Sequence, residues 1–304
     1  MPKASREGKV CLGLVQLECG EDSPLNLERA IAAVEAAAAN GAEVVCLPEL
    51  FLHRYPCQTE DTKRFELAES IPGPTTEVLS KLAARLGITL LGSLFERRTE
   101  GLYHNTAVVL APDGKLHGRY RKMHIPDDPL YYEKFYFTPG DRGFQVIETP
   151  EARIAPLVCW DQWFPEAARL ATLKGADLLL YPTAIGWQFD LGEAENAAQH
   201  DAWETVQRGH AIANGVFVAA VNRVGFEPSD PLRPSGGEGI RFFGQSFVCD
   251  PTGRVLARAG SEAPQTLLVD CDLSLIAKTR RDWPFLRDRR VDAYAKLSSL
   301  LDDD

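Results

Sequence analysis

The sequence predicts an α/β protein, because short apolar strands alternate with helical segments along most of its 304 residues. Residues 105–121 and 244–259 interrupt this alternation in the same way. Each combines an apolar strand, a Pro-X-Gly turn and a second strand that ends in basic residues, which is typical of a β-hairpin. One hairpin in each half of the chain indicates an internal duplication, with a helix-covered sheet in each half.

The individual elements follow from apolar runs and from the glycines that end the helices. Gly41, Gly87 and Gly175 each come directly after a helical segment, where glycine is a preferred stop residue. The expected strands are residues 10–16, 43–48, 88–93, 177–182 and 216–222, and the expected helices are residues 26–40, 75–86, 165–174 and 202–214.

No linker composition divides the chain, so we expect a single domain over residues 1–304. Residues 228–238 are rich in Pro, Ser and Gly and predict a long surface loop rather than a domain boundary. A C-terminal tail from about residue 282 carries aromatic residues and a run of Arg and Asp, and we expect it to take part in oligomer contacts.

The composition is that of an ordinary globular protein, with 45% hydrophobic and 25% charged residues. The net charge of −10 disfavours nucleic acid and anionic membranes as partners and suits a cationic small-molecule substrate. The seven cysteines are scattered, without Cys-X-X-Cys pairs, so we expect no disulfide framework and no zinc site. Because no apolar run has the length of a signal peptide or a membrane span, the sequence predicts a cytoplasmic protein.

Cys159 lies between an apolar run and a segment whose Pro165 is placed to open a helix. A helix N-terminus stabilises a thiolate, so the position suits a nucleophile, although a buried structural cysteine is the ordinary alternative. Glu49 and Lys122 also follow apolar strands, and either could be a plain surface charge. If the three converge, they supply a thiol, a base and an ammonium that stabilises an oxyanion, with the N–H of Trp160 as a second donor.

Over nearly its whole length the chain resembles the nitrilase (carbon–nitrogen hydrolase) superfamily. The similarity is carried by LPELF around Glu49, YRKMH around Lys122 and LVCWDQWFPEAAR around Cys159. The resemblance implies a four-layer α-β-β-α sandwich with pseudo-twofold internal symmetry. It also implies Glu49 as base, Lys122 as oxyanion stabiliser and Cys159 as nucleophile, and it gives Glu133 the place of a second catalytic glutamate. It implies no cofactor, and it implies a homo-oligomer built from dimers.

Within the superfamily, YEKFYFTPGD (132–141) and YPTAIG (181–186) most resemble the branch that hydrolyses N-carbamoylputrescine to putrescine, carbon dioxide and ammonia. Members that act on carbamoyl-D-amino acids hold the substrate carboxylate with arginines just after the nucleophile. This chain has Gln162 and Trp163 there, so a bidentate carboxylate clamp is missing. Neutral and aromatic residues suit an aliphatic or cationic ureido substrate better.

The candidate substrate-binding residues are Tyr55, Trp160, Gln162, Trp163 and Asp190. The tryptophans could equally be ordinary core residues. The distal ammonium of such a substrate needs an acidic partner, and the candidates are Asp190, Glu193, Glu195 and Asp201. The alternative for this acidic stretch is a solvated loop and helix face.

Other functions stay open at this point. An aliphatic amidase, a nitrilase or a carbamoyl-acid hydrolase would share the same catalytic residues, and a catalytically silent binding protein would share the fold. A metal site is not expected, because His104 and His124 have no acidic or histidine partner at ligand spacing, and hydrolytic zinc needs three protein ligands.

Overall fold

The computed structural model describes residues 8–189, 191–229 and 238–301. The strands in this part of the chain are β1 (Lys9–Gln16), β2 (Val44–Cys46), β3 (Thr89–Thr99), β4 (Leu102–Leu110), β5 (Leu116–Arg121), β6 (Ile147–Glu148), β7 (Arg153–Pro156), β8 (Leu178–Pro182), β9 (Gly186–Trp187), β10 (Phe217–Val221), β11 (Val224–Pro228), β12 (Gly239–Phe243), β13 (Phe247–Cys249), β14 (Val255–Arg258) and β15 (Gln265–Asp272). The α-helices are α1 (Ser23–Ala39), α2 (Pro74–Leu86), α3 (Glu133–Tyr136), α4 (Pro165–Leu173), α5 (Glu193–Asn214) and α6 (Ser274–Asp282).

Two six-stranded mixed sheets form the framework, which confirms the predicted α/β class. The first has the strand order β15-β1-β2-β3-β4-β5 and the second the order β14-β13-β10-β8-β7-β6. Counted from its hairpin end, each sheet has two antiparallel pairings, two parallel pairings and a final antiparallel pairing. The hairpins predicted at residues 105–121 and 244–259 are β4-β5 and β13-β14, and they occupy equivalent edges of the two sheets.

Both sheets are buried on both faces. Alternate residues of a strand point to opposite faces, so Leu12 and Leu14 of β1 lie on the same face of their sheet. Both belong to a core cluster that also contains Phe217 of β10 in the other sheet. Val15 lies in a different cluster with residues of α1 and α2, and Val218 of β10 lies in a third with residues of α4 and α5. Continuous burial explains why these strands read as apolar runs without alternation.

The differences from the predicted elements have local causes. Strand β3 runs to Thr99, beyond the predicted end at residue 93, because its second half pairs with β4. Helix α5 begins at Glu193 rather than at about residue 202. Its first turns consist of alanine and polar residues with exposed or partly exposed side chains and contain no large apolar residue, so they add no apolar periodicity. The predicted loop at 228–238 lies between the paired strands β11 and β12, and its residues 230–237 lie outside the described ones.

The C-terminal tail after α6 exposes several large apolar side chains. These are Trp283, Phe285, Val291, Leu297, Leu300 and Leu301. Within the described ranges, no helix combines the length and the apolar character needed to cross a membrane.

Candidate active site

Three charged side chains form one buried hydrogen-bonded cluster. The Lys122 ammonium donates to Oε1 of Glu49 at 2.8 Å and to Oε1 and Oε2 of Glu133 at 2.8 and 2.7 Å. Lys122, Glu49 and Glu133 are all buried. A buried ammonium needs such partners, because an unpaired charge in the interior is strongly disfavoured. The structure therefore brings together three of the residues singled out in the sequence.

Neutral donors hold the two carboxylates in place. The side-chain amide of Asn105 donates to Oε1 of Glu49 at 2.7 Å, and the hydroxyl of Tyr55 donates to Oε1 of Glu133 at 2.7 Å. Oε2 of Glu49 is buried and has no hydrogen-bond partner among the described residues. This oxygen is therefore free to accept a proton.

The chain segment after Glu49 is braced from the other half of the molecule. Its residue Leu50 has a positive φ of 49°, which is unusual for a residue other than glycine. Arg223, which is buried just after β10, donates from Nε to the carbonyl of Glu49 at 3.0 Å and from Nη2 to that of Leu50. It also pairs with Glu227, which accepts the backbone N–H of Tyr55 at 2.6 Å. These bonds fix Glu49 shortly after the end of β2.

Cys159 occupies a tight turn between β7 and α4. It has a positive φ of 40° and opens the five-residue 3-10 helix Cys159–Trp163. The Asp161 carboxylate, itself buried, fixes this turn by accepting the N–H of Val158 at 3.0 Å, the hydroxyl of Tyr120 at 2.8 Å and the N–H of His124 at 3.1 Å. The turn leaves Cys159 only 5% exposed.

Burial controls the protonation of Cys159. It raises the pKa of the Cys159 thiol well above its ordinary value, and Glu49 acts in the same direction, whereas Lys122 opposes both. Cys159 opens a short 3-10 turn, and α4 begins only at Pro165, so stabilisation of the thiolate by a helix N-terminus stays a prediction. The resting thiol carries its proton, and a base is needed to remove it.

The charges of Lys122 and Glu133 depend on each other. Burial alone would lower the pKa of Lys122, but the carboxylates of Glu133 and Glu49 raise it well above its ordinary value, so the ammonium stays charged. Burial raises the pKa of Glu133 to about 7, although Lys122 acts in the opposite direction. Glu133 can therefore take up a proton just below neutral pH.

Cys159 and Glu133 lie on the wall of a cavity whose empty volume is about 490 Å³. Glu49 and Lys122 are buried and are not among the lining residues. The complete set of lining residues is Pro126, Asp128, Tyr131, Glu133, Cys159, Trp160, Trp163, Ala184, Ile185, Gly186, Gln188 and Gln199.

The predicted substrate-binding residues are divided between the cavity and its surroundings. Trp160 and Trp163 line the cavity, with their ring centroids 6.3 Å apart. Gln162 belongs to the turn and is buried, and its backbone carbonyl accepts the Nε2–H of His210 at 2.8 Å. Tyr55 is also buried and is not among the lining residues, but it contacts the site through Glu133.

Three of the acids proposed from sequence as partners of a distal ammonium are not on the cavity wall. Glu193, Glu195 and Asp201 belong to α5, their side chains are exposed, and they are not among the lining residues. Asp190 lies outside the described residues. Besides Glu133, the acid among the lining residues is Asp128, which gives no sequence signal because it lies in a short stretch without periodicity.

In the described ranges of the chain, no three or more His, Cys, Asp and Glu side chains are grouped as a metal ion would require. All seven cysteines are free.

Comparison with known proteins places this arrangement in a family. The family model described as carbon-nitrogen hydrolase matches residues 11–281. An N-carbamoylputrescine amidase from Solanum lycopersicum is 40% identical, covering 98% of this chain and 97% of its own. A citrullinase from Francisella tularensis is 38% identical, covering 94% of this chain and 97% of its own.

Two solved structures extend the comparison. A carbon-nitrogen hydrolase from Helicobacter pylori G27 superposes with a TM-score of 0.92 at 45% identity, covering 97% of this chain and 100% of its own. A variant amidase from Nesterenkonia sp. AN1 superposes with a TM-score of 0.72 at 25% identity, covering 95% of this chain and 97% of its own. It carries the acetamide moiety of fluoroacetamide covalently added at its active-site cysteine. The chain described here belongs to the carbon–nitrogen hydrolase family, that is, to the amidohydrolases of the nitrilase superfamily.

Proposed function

We propose that the protein hydrolyses N-carbamoylputrescine to putrescine, carbon dioxide and ammonia through a covalent intermediate on Cys159. The observation that carries the proposal is the buried Lys122–Glu49–Glu133 cluster beside a cavity that contains Cys159. The choice of substrate is supported by the tomato N-carbamoylputrescine amidase, which is 40% identical over 98% of the chain.

The first half of the reaction begins with a proton transfer. Oε2 of Glu49, which has no hydrogen-bond partner among the described residues, takes the proton of the Cys159 thiol as the sulfur attacks the ureido carbon. The carbonyl electron pair moves onto the oxygen, where the ammonium of Lys122 and the N–H of Trp160 stabilise the negative charge. When the carbonyl re-forms, one ureido nitrogen leaves with the proton held by Glu49.

The second half removes the group left on the sulfur. A water molecule gives its proton to Glu49 and attacks the same carbon, and the oxyanion again faces Lys122. The carbon–sulfur bond breaks, and the thiolate of Cys159 recovers the proton from Glu49. The released carbamic acid decomposes to carbon dioxide and the remaining amine, so the enzyme returns to its starting protonation state.

We also infer the finer features of the architecture. A core cluster between the sheets, helix-containing clusters on their outer faces and equivalent pairing patterns support a four-layer α-β-β-α sandwich with pseudo-twofold symmetry. We propose a single domain, located in the cytoplasm. We further propose a homo-oligomer built from dimers, because the exposed apolar side chains of the tail would be covered in such an assembly.

Steady-state assays with a panel of substrates test the proposal. N-carbamoylputrescine should have the highest kcat/KM, and N-carbamoyl-β-alanine, L-citrulline and a short aliphatic amide should each be at least about tenfold poorer, because one lost charge-assisted bond is worth about that factor. Release of putrescine and of ammonia is measured for each compound. A preference for citrulline or for the amide would instead assign another hydrolase of the same family. No turnover of any compound would favour a silent binding protein.

The Glu133→Gln variant should fold and lose about 10²-fold in kcat, since Glu133 holds the ammonium that stabilises the oxyanion. In the wild type, kcat/KM should fall as the pH drops through about 7, because protonation of Glu133 removes one of the two negative partners of Lys122. The variant should lack this acidic limb.

The matched control is Asp177→Asn, which breaks the buried Arg153–Asp177 pair away from the cavity. It should lower the melting temperature while keeping kcat and the acidic limb. Wild-type kinetics and an unchanged pH profile in Glu133→Gln would leave Glu133 without a catalytic role.

A further inference from the structure

We infer that Asp128 binds the distal ammonium of the substrate and thereby makes the cavity selective for ureido compounds that end in an amine. The inference rests on the proposed function and names the specificity-determining residue of the same site. It begins from the charges on the cavity wall. Among the lining residues in the described part of the chain, Asp128 and Glu133 are the charged ones, and both are acids.

The two acids differ in the hydrogen-bond and ion-pair partners that they already have. Both oxygens of Glu133 accept from Lys122, and Oε1 also accepts from Tyr55. The carboxylate of Asp128 has no hydrogen bond or ion pair to any other described residue, and its side chain is half-buried. A partly desolvated carboxylate without a partner gains from a cation placed beside it. Asp128 is therefore the acid with free capacity for a substrate.

The backbone holds Asp128 in a defined place relative to the reacting centre. Its carbonyl accepts the N–H of Tyr131 at 2.8 Å, which closes a turn across Leu130. Leu130 is buried and has a positive φ of 67°, so the turn is anchored from inside. The hydroxyl of Tyr131 accepts the N–H of Gly186 at 3.0 Å, and Gly186 lies on the wall as well. The turn that carries Asp128 leads within a few residues to Glu133. One short segment therefore carries both the acid proposed to bind the distal ammonium and the acid that holds Lys122.

The remaining wall suits a short chain of methylene groups ending in a cation. Tyr131, Trp160 and Trp163 provide apolar surface, and their ring faces attract an ammonium. No Lys, Arg or His is among the cavity-lining residues that the structure describes, so a substrate carboxylate would find no cationic partner there. A carboxylate next to Asp128 would instead be repelled. The wall therefore favours an ω-amino ureido compound over a ureido acid of similar length.

The test compares N-carbamoylputrescine with N-butylurea. N-butylurea has the same four-carbon chain but ends in a methyl group where N-carbamoylputrescine ends in an aminomethyl group. In the wild type, N-carbamoylputrescine should have a kcat/KM about ten- to a hundredfold higher. Asp128→Asn should remove most of that advantage by raising KM for N-carbamoylputrescine, with a much smaller effect on N-butylurea. Asp127→Asn is the matched control, because Asp127 is the adjacent acid, is exposed and is not among the lining residues. It should keep the wild-type preference.

Putrescine binding to the Cys159→Ala variant provides a readout that needs no turnover. Calorimetry should show putrescine binding that weakens about tenfold or more when Asp128→Asn is added, and that is unchanged when Asp127→Asn is added. An equal loss with both ureido compounds in Asp128→Asn, or unaltered discrimination and putrescine affinity, would overturn the role of Asp128 while leaving the hydrolase intact. A wild type that turns over neither compound and does not bind putrescine would overturn the proposed function as well.

Discussion

Replacing Cys159 with alanine should reduce the turnover of N-carbamoylputrescine by at least about 10⁴-fold, because no other thiol lines the described cavity wall. The protein should stay folded, since the change removes one sulfur atom from a site beside a cavity. The measurement is the rate of putrescine release, with circular dichroism and the melting temperature as checks on folding.

A matched variant separates chemistry from packing. Cys249→Ala removes another buried, free thiol from the same core cluster, but Cys249 does not line the cavity. This control should lose stability and keep kcat. Comparable activity in Cys159→Ala and in the wild type would rule out a covalent mechanism on this residue.

Replacing Glu49 with glutamine should lower kcat by about 10²- to 10⁴-fold, the range typical of a lost general base. Burial keeps the Cys159 thiol protonated, so the reaction depends on a group that removes the proton. Glutamine keeps the size and can still accept from Lys122, but its amide cannot take up a proton at neutral pH. Pre-steady-state kinetics of adduct formation on Cys159 measure the affected step directly.

The Asp177→Asn variant again serves as control for the loss of a buried carboxylate, and it should keep wild-type adduct formation. If Glu49→Gln formed the adduct and released product at wild-type rates, another group would have to be the base. The acids at the start of α5 are poor candidates for that base, because they are not among the residues that line the cavity.

The parts of the fold that sequence predicts well are those with a strong local signal. The strand β10 reads as an unbroken apolar run because both faces of its sheet are buried, and Gly87 ends α2 in a left-handed conformation with φ of 67°. The start of α5 is different. Its polar first turns are helical without an apolar stripe, so the pattern shows only the segment from about Trp203, which packs on the core.

The residues of the candidate site also differ in how strong a local sequence signal each of them has. Glu49, Lys122 and Cys159 are recognisable because each carries a reactive group at the end of an apolar run, and Glu133 is recognisable only by family resemblance. Asp128 has neither signal, because its position on the wall depends on a turn around Leu130, whose positive φ has no glycine to mark it. The acids of α5 are candidates from sequence because they form an acidic stretch, and the structure shows that they are exposed and are not among the lining residues.

The central claim is that a single thiol becomes covalently attached to the ureido carbon during turnover. Rapid-quench mass spectrometry of the intact enzyme, mixed with excess N-carbamoylputrescine, tests it most directly. The account predicts an adduct that appears before the steady state, maps to the peptide containing Cys159 and is absent from the Cys159→Ala variant. An adduct on another residue, or product release by Cys159→Ala at the wild-type rate, would contradict it.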